Sequence, residues 1–184
     1  MTSAASTDGF GDLAPSGFGI RMRMAGDDAE LLRIERAAST LLQAAGHPDA
    51  TGWPGTLADY QAWLDRHGVL VAGELAGEPA GFAAAFALED LYWLAELSVD
   101  PAFVQRGLGT ALLRATLDRA RRRGHLALGL STFVDVPFNA PFYARHGFER
   151  IGDDRLTAAM RMQFHAEAPT SALAAQRCVM VCRL

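Results

Sequence analysis

The sequence predicts an α+β protein whose central sheet has mixed, mostly antiparallel strand direction and is flanked by helices. Three observations lead to this fold class. The chain has 184 residues, half of them apolar, which suffices for one hydrophobic core and one domain. Segments with the two-residue period of strands alternate with segments of helical period. A long helical pattern at residues 108–123 separates two strand patterns, and such a crossover helix joins neighbouring strands in parallel.

The N-terminal third predicts a tail, a strand and two helices. Residues 1–17 are rich in Ser, Ala, Gly and Asp without periodicity, which is typical of a flexible tail preceding one domain at 18–184. Residues 19–24 alternate apolar side chains with arginines, as an edge strand does. One helix runs from the acidic residues 27–30 to Gly46, and the other spans 57–67. Their predicted buried residues are Leu31, Ile34, Ala38 and Leu41 in the first helix and Tyr60, Trp63 and Leu64 in the second.

The middle of the chain has the strand period and predicts an antiparallel meander. Its strands are residues 69–72, 81–88 and 91–99, and a turn at 76–79 joins the first two. After the long helix, Leu126, Leu128 and Leu130 alternate in a predicted buried strand. The remaining elements are a short helix from Asn139 to before Gly147, a strand at 148–151, helix and loop at 153–175, and a last strand at 177–183.

Composition and charge argue against several classes of protein. The net charge of −4 and the pI near 5.7 are unlike a general nucleic-acid binder. No apolar stretch approaches the roughly 20 residues of a membrane span. The N-terminus lacks the pattern of a signal peptide, and the two cysteines are those expected of a cytoplasmic protein. Cys178 and Cys182 are too far apart along one strand for a disulfide and lack the partners of a zinc site, so we expect reduced thiols and no bound metal.

The segment between the third meander strand and the long helix carries the main functional signal. Asp100-Pro101 ends the apolar run, and Gly107 and Gly109 fall where the helix begins. The first N–H groups of a helix have no intrahelical partner, and its dipole favours an anion there. The turn therefore predicts a main-chain cradle for a pyrophosphate, with a tight turn into an ordinary helix as the alternative. It is neither a Rossmann fingerprint, because Leu112 replaces the third glycine, nor a P-loop, because the chain has no lysine.

Over residues 19–184 the chain resembles the GNAT (general N-acetyltransferase) superfamily, and two motifs carry the resemblance. Leu97-Ser-Val-Asp-Pro101, followed by Gly107-Leu-Gly109 and Leu112-Leu113, is similar to the family's acetyl-CoA pyrophosphate loop. Asn139-Ala-Pro-Phe-Tyr143-Ala-Arg-His-Gly147-Phe148 is similar to its Asn…Tyr-x-x-x-Gly-Phe helix. The resemblance implies that the two parallel central strands splay apart and that acetyl-CoA is the co-substrate.

The resemblance also implies which residues bind acetyl-CoA. Val104 departs from the family pattern, which has Gln or Arg there, so one side-chain contact is lost and Arg106 is expected to compensate. Asn139 is expected to contact the pantetheine arm or to hold its loop, and a plain N-cap is its alternative role. The implied acetyl-CoA-binding residues are Leu97, Ser98, Val99, Val104, Gln105, Arg106, Gly107, Leu108, Gly109, Thr110, Asn139 and Phe142.

Acetyl transfer to an amine needs an acid for the departing thiolate and a base for the amine. The resemblance implies that Tyr143 protonates the sulfur of CoA, and packing beside Phe142 is the alternative. We expect Glu96 to be the base, because it shares a half-covered strand face with Tyr92 and Leu94, and desolvation raises the pKa of a carboxyl. A salt bridge to an arginine is the alternative for Glu96.

The acceptor side is less defined. Glu35 on the first helix, His47 in the loop after it and Asp135 after the buried strand are candidate substrate-binding residues. His47 and Asp135 are also alternative bases, and for Glu35 a solvated helix face is the simpler interpretation.

These residues predict direct acetyl transfer to the primary amine of a small molecule in a ternary complex, because no cysteine or serine is placed as an acyl carrier. Acetylation of protein or peptide N-termini is the alternative within the enzyme class. A non-catalytic acyl-CoA sensor is the alternative outside it, although a sensor needs neither an acid nor a base. A homodimer is implied by the family alone, and no nucleic-acid or membrane partner is expected.

Overall fold

The structure is a computed structural model that describes residues 10–75 and 77–184. Its strands are β1 (Phe18–Met22), β2 (Gly68–Glu74), β3 (Pro79–Leu88), β4 (Leu91–Val99), β5 (Ala127–Phe133), β6 (Glu149–Arg150) and β7 (Arg177–Arg183). Its helices are α1 (Asp28–Ala44), α2 (Leu57–Leu64), α3 (Leu108–Arg122), α4 (Ala140–Ala144), α5 (Ala158–Glu167) and α6 (Ser171–Ala175). Among these described helices, none combines the length and the hydropathy that a membrane crossing requires.

The seven strands form one sheet in the order β1-β2-β3-β4-β5-β7-β6. The β4–β5 pair is parallel, with Leu91 opposite Ala127 and Leu94 opposite Leu130. The pairs β1–β2, β2–β3, β5–β7 and β6–β7 are antiparallel. The predicted fold class is therefore confirmed, including the parallel pair on either side of α3 and the edge position of β1.

The chain divides into two compact units. The first contains the described residues up to Ala85 together with Glu96–Thr116, and the second contains Phe86–Ala95 together with Leu117–Leu184. Strand β4 thus contributes its C-terminal half to the first unit and its N-terminal half to the second. The single domain at residues 18–184 stays a prediction.

The core of the first unit lies where α1 and α2 cover β2 and β3. Leu31 and Ile34, three residues apart on α1, are fully buried, as the helical period predicts. The other members of this core are Leu32, Tyr60, Leu64, Val69, Val71, Phe82 and Ala84, with Trp53 and Trp63 packed against it. Burial of these side chains fixes α1 and α2 on the sheet.

Arg21 of β1 and Arg23, which follows that strand, fix the start of α1. Arg21 binds Asp27 at 2.6 Å, and Arg23 binds Asp28 at 2.6 Å and Asp65 at 2.7 Å. Asp27 and Asp28 are buried, so their charges need these partners. The acidic residues expected to interact with the helix dipole therefore also anchor α1 to the edge strand.

The second unit is built around Trp93 of β4. A side chain at Gly129 of β5 would meet this indole at 3.0 Å, so the close approach requires glycine there. The indole Nε1–H donates to Glu167 Oε1 at 2.8 Å, and Gln163 donates to the same oxygen at 2.7 Å. Burial raises the pKa of Glu167, against these hydrogen bonds and the charge of Arg177. This network ties α5 to the sheet.

Several details differ from the sequence predictions. Helix α2 ends at Leu64, three residues before the predicted end. Beyond it, the ring Nδ1–H of His67 donates to the Trp63 carbonyl at 2.6 Å. Leu126 is 70% exposed because it precedes β5, which begins at Ala127. Ala38 and Leu41 of α1 are half-buried rather than buried.

The predicted tail is only partly within the described residues. Residues 1–9 and Ala76 of the predicted turn lie outside them. From residue 10 the chain has structure that the tail prediction did not include, because Phe10 is 4% exposed and a short 3-10 helix spans Gly11–Leu13. An apolar side chain of this size is buried where it can pack, and composition alone does not reveal that.

Candidate active site

A loop connects β4 to α3 in the first unit. Asp100 begins it by accepting the Ala102 N–H at 2.8 Å, which caps a 3-10 helix at Pro101–Phe103. After four intervening residues α3 begins at Leu108, and its first intrahelical bond runs from the Ala111 N–H to the Gly107 carbonyl at 3.0 Å. The N–H groups that precede Ala111 at this helix start are therefore outside the ladder of α3.

The loop backbone twice adopts the left-handed conformation, at Gln105 (φ 64°) and Gly107 (φ 83°). Left-handed residues next to a helix start turn successive N–H groups toward one side, which forms an anion-binding concavity. A Cβ at Gly107 would meet only Pro15 Cγ, at 3.5 Å, so the glycine is required by its φ and not by crowding. This backbone fits the pyrophosphate of acetyl-CoA.

Arg33 of α1 fixes this loop from the helix side. Its guanidinium donates to Asp100 Oδ2 and also to Glu30 Oε1, the latter at 2.6 Å. Burial works against ionisation of Asp100, but the hydrogen bonds from Arg33 and from Ala102 lower its pKa below the usual value. Asp100 is therefore held as a carboxylate that joins the loop to α1.

The loop side chains act differently from expectation. The Arg106 guanidinium lies over the Phe103 ring at 5.1 Å, and Phe103 contacts Phe18 edge-on at 6.1 Å. Leu108 is buried, so only its main chain can reach a ligand, whereas Val104 is exposed. Arg106 thus packs on the loop, and its compensation for Val104 stays a prediction, as do the contacts expected of Gly109 and Thr110.

Glu96 lies on β4 three residues before that strand ends. Ser98, two residues on, donates its hydroxyl to Glu96 Oε1 at 2.7 Å, which confirms that the two side chains share a face. Ser98 is buried and its hydroxyl is bound to Glu96, so a contact of Ser98 with acetyl-CoA falls to its main chain, whereas Leu97 and Val99 are half-buried and their expected contacts stay predictions. Ser98 is therefore a positioning residue for the Glu96 carboxylate.

Glu35 on α1 is a second carboxylate of the first unit. Its Oε2 accepts the Trp53 N–H at 2.7 Å, and a Cβ at Gly52 would come within 3.1 Å of that oxygen. Burial and, to a smaller extent, the charge of Glu96 raise the pKa of Glu35 to about 7, against the hydrogen bond from the Trp53 backbone N–H and the charge of Arg36. Glu35 is thus not the solvated face residue that the helical pattern favours.

An aromatic cluster of Trp53, Tyr60, Trp63 and His67 adjoins these carboxylates. The Tyr60 ring stacks on the Trp63 ring with their centroids 5.7 Å apart, and it meets the Trp53 ring edge-on at a centroid distance of 5.2 Å. The centroids of the Trp63 and His67 rings are 4.1 Å apart. Burial raises the pKa of Tyr60 above its ordinary value, as do the charges of Glu96 and Glu35, so its hydroxyl stays protonated. Burial lowers the pKa of His67, which favours the neutral imidazole.

His47 lies in the segment between α1 and α2 and is buried, with its N–H donating to the Leu42 carbonyl at 3.1 Å. Its role as base or substrate ligand stays a prediction.

The second motif lies in the second unit, on α4. Tyr143 is 9% exposed and its ring packs edge-on against Phe142 at 5.1 Å and Phe148 at 5.6 Å. Asn139 precedes α4, but its side chain makes no cap hydrogen bond, so the plain N-cap role is wrong. Asp135 is exposed in the loop after β5. The expected roles of Tyr143, Asn139, Phe142 and Asp135 stay predictions.

Sequence reasoning missed Arg33 and Trp53 as parts of this site. The helical pattern predicts that Arg33 is an exposed residue, and its partner Asp100 lies 67 positions away in the sequence. Trp53 lies in a segment without periodicity, although Gly52 and Gly55 on either side of the Trp-Pro pair indicate close packing of the backbone. In the described residues, no group of three or more His, Cys, Asp or Glu side chains could hold a metal ion.

The structure thus has a glycine loop at a helix start, directly after strand β4 of a mixed sheet. The chain belongs to the acetyltransferase (GNAT) family, whose sequence model matches residues 32–148, more than half of the chain. The resemblance seen in the two motifs is thereby confirmed.

Three similar proteins illustrate the range of the family. An uncharacterized N-acetyltransferase of Methanocaldococcus jannaschii is 35% identical over 104 residues, 49% of this chain and 44% of that protein. Mycothiol acetyltransferase of Clavibacter sepedonicus is 36% identical over 97 residues, 48% of this chain and 29% of that protein. The chain thus spans less than half the length of these curated relatives. The ribosomal-protein-S18-alanine N-acetyltransferase of Escherichia coli shares the fold, with a TM-score of 0.64, 18% identity, and coverage of 90% and 93% of the two chains.

The loop geometry predicts that Gly107→Val removes acetyl-CoA binding. The substitution strains a backbone at φ 83° and adds a side chain at the concavity. Wild-type protein is expected to melt at a higher temperature with acetyl-CoA than without it, because a ligand that binds the native state stabilises it. Gly124→Val is the matched control, because Gly124 has φ 79° and open space. The control should keep the ligand-induced shift and Gly107→Val should lose it. A full shift in Gly107→Val contradicts the cradle.

The raised pKa of Glu35 predicts a pH-dependent stability difference between wild type and Glu35→Gln. Between the ordinary value of 4.5 and about 7, the folded protein binds more protons at Glu35 than the unfolded chain does. The part of the free energy of unfolding that depends on Glu35 therefore decreases as pH rises from 4.5 to about 7. In Glu35→Gln this decrease is absent, because glutamine does not titrate. Melting from pH 5 to 8 should show the variant gaining on wild type by a few degrees. The exposed Glu78→Gln serves as the control, and a difference independent of pH contradicts the burial of Glu35.

Proposed function

We propose that the protein is an acetyl-CoA-dependent N-acetyltransferase that transfers acetyl directly to the primary amine of a small molecule. The observation that carries the proposal is the Glu96 carboxylate on the same strand that ends in the Gly107 loop. One strand end thus offers an acceptor for an amine proton and a main-chain cradle for a pyrophosphate. The mycothiol acetyltransferase among its relatives is named for a small-molecule acceptor, and that supports this class.

Each residue then has a defined task. The loop N–H groups around Gly107 hold the pyrophosphate of acetyl-CoA, which supplies an acetyl group activated as a thioester. Glu96, oriented by Ser98, takes the proton from the acceptor amine. As the new C–N bond forms and the C–S bond breaks, the departing sulfur receives a proton, for which we propose Tyr143. That role of Tyr143 rests on the family motif.

Two alternatives are distinguishable. Acetylation of protein N-termini is represented in the fold by the Escherichia coli enzyme, but the burial of Tyr60 and Glu35 favours a small acceptor over an extended chain. A non-catalytic acyl-CoA sensor would have no use for a carboxylate held by Ser98 beside a second carboxylate. The cytoplasmic location and the homodimer stay predictions.

Release of free CoA thiol from acetyl-CoA, measured against aliphatic and aromatic amines, amino acids, polyamines and short peptides, tests the proposal directly. Glu96→Gln should lower the rate about 10²–10⁴-fold near neutral pH, as removal of a general base does. The loss should shrink at high pH, where the amine is already deprotonated.

Glu78→Gln, a change from carboxylate to amide in the β2–β3 turn, should leave the pH profile unchanged. If Glu96→Gln also leaves it unchanged, the base lies elsewhere. Thiol release with none of the amines, despite acetyl-CoA binding, would support the sensor.

Tyr143→Phe tests the proposed acid. The variant keeps the ring contacts with Phe142 and Phe148, so folding and acetyl-CoA affinity should change little, while kcat falls. Tyr92→Phe is the control, because it removes another buried tyrosine hydroxyl of the second unit, one that accepts from Arg119 at 3.3 Å. Loss of stability in proportion to activity in Tyr143→Phe would make Tyr143 a packing residue.

A further inference from the structure

The Tyr60 hydroxyl is a polar group that the fold itself does not explain. Its residue is 1% exposed, and the hydroxyl has no hydrogen-bond partner within the described residues. A buried hydroxyl without a partner costs free energy, and phenylalanine would fill the same space. A group of this kind in a native core calls for a ligand that completes its hydrogen bonding.

Tyr60 lies in the part of the first unit that also holds Glu35. The centroids of the Tyr60 and Trp53 rings are 5.2 Å apart, and the backbone N–H of Trp53 donates to Glu35 Oε2 at 2.7 Å. Besides burial, the charges of Glu96 and then Glu35 raise the pKa of Tyr60. A protonated phenol and two carboxylates therefore act on one another at the end of the aromatic cluster.

We propose that Tyr60, Glu35 and Glu96 together bind the ammonium group of the acceptor, and that the acceptor is a primary amine on an apolar, flat body with no carboxylate beside the nitrogen. This inference rests on the proposed function and names its substrate class. A primary ammonium has three N–H donors, and these three residues each offer an oxygen acceptor. Glu96 then accepts one of the three protons.

The exclusion of α-amino acids follows from the local charges. A carboxylate beside the nitrogen would approach Glu35 and Glu96 and be repelled. The two arginines whose charges reach this cluster are already engaged. Arg36 donates to two carbonyls of the segment between α1 and α2, at 3.3 and 2.9 Å, and Arg23 is in ion pairs with Asp28 and Asp65.

The apolar body of the acceptor follows from the indoles. Trp53 and Trp63 are half-buried at the edge of the aromatic cluster and lie 5.8 Å apart. Their rings offer an apolar surface beside the carboxylates, and aromatic faces also attract a cation. An amine on an aromatic or broad aliphatic body therefore matches the cluster better than a hydrophilic polyamine does.

The test compares 2-phenylethylamine with L-phenylalanine, which differ by the carboxylate beside the nitrogen. Thiol release and direct binding to the CoA-bound full-length protein are measured, the latter by quenching of tryptophan fluorescence and by calorimetry. Wild type should prefer 2-phenylethylamine by at least about 10-fold in both measurements, which is what one charge-assisted hydrogen bond or its repulsive counterpart is worth.

Two variants separate binding from folding. Tyr60→Phe should melt at or above the wild-type temperature, because the lost hydroxyl has no partner in the protein, while KM and Kd for 2-phenylethylamine rise about 10-fold. Glu35→Gln should raise the same constants and reduce the discrimination against L-phenylalanine. A structural role for Tyr60 predicts the reverse, with lower stability and unchanged amine affinity.

The inference is overturned if L-phenylalanine binds as well as 2-phenylethylamine, or if Tyr60→Phe leaves KM and Kd unchanged. Amine binding with the predicted preference but no thiol release would overturn the proposed function and support the binding site. Thiol release with α-amino acids and not with the amine would support the proposed function and overturn the substrate class.

Discussion

The ion pair between Arg33 and Asp100 is the interaction on which the geometry of the loop between β4 and α3 (residues 100–107, here called the donor loop) depends. Asp100 accepts the Ala102 N–H and the Arg33 guanidinium at once, so the start of the loop is fixed to its own backbone and to α1. Asp100 is buried whereas the Arg33 side chain is half exposed, so the two hydrogen bonds, from the Ala102 N–H and from Arg33, are what compensate the buried carboxylate. The left-handed residues that follow, Gln105 and Gly107, can hold their conformation because the loop is anchored ahead of them.

One turn of α1 positions two functional segments. Arg33 holds the loop after β4, Glu35 accepts the Trp53 N–H, and Arg36 donates to the Trp53 and Gly55 carbonyls. The donor loop and the segment that carries Trp53 are therefore both held by residues 33–36 of α1. The buried ion pairs of Arg21 and Arg23 at the start of α1 fix this turn against β1. A displacement of α1 would move both segments together, so their relative placement within the first unit is insensitive to it.

The sequence predicted what local pattern controls. Alternation gave β4 and β7 with their observed bounds, the helical period gave α3 within one residue, and the position of Gly107 before a helix gave the loop. The acceptor side could not be obtained in this way. The helical pattern predicts that Glu35 is a solvated residue. In the structure the segment around Gly52 packs against it, and this tertiary contact has no signal in the local sequence. The Arg33–Asp100 pair could not be predicted either. In the sequence, Arg33 looks like an exposed helix residue and Asp100 like the end of a strand, and neither pattern indicates a partner 67 positions away.

Three residues of the first unit have features that lower the stability of the fold. Tyr60 keeps a hydroxyl without a partner, Glu35 keeps a carboxyl whose ionisation is opposed by burial, and Gln105 keeps a left-handed backbone. Tyr60→Phe and Gln105→Gly would each relieve one conflict. By contrast, buried Asp27 and Asp28 of the first unit are paired with arginines, and the core of this unit is apolar. Conflicts with local rules are expected where binding has replaced stability as the constraint. Their occurrence in the unit that also contains Glu96 and the donor loop is therefore an argument for a ligand-binding site that is independent of the family motifs.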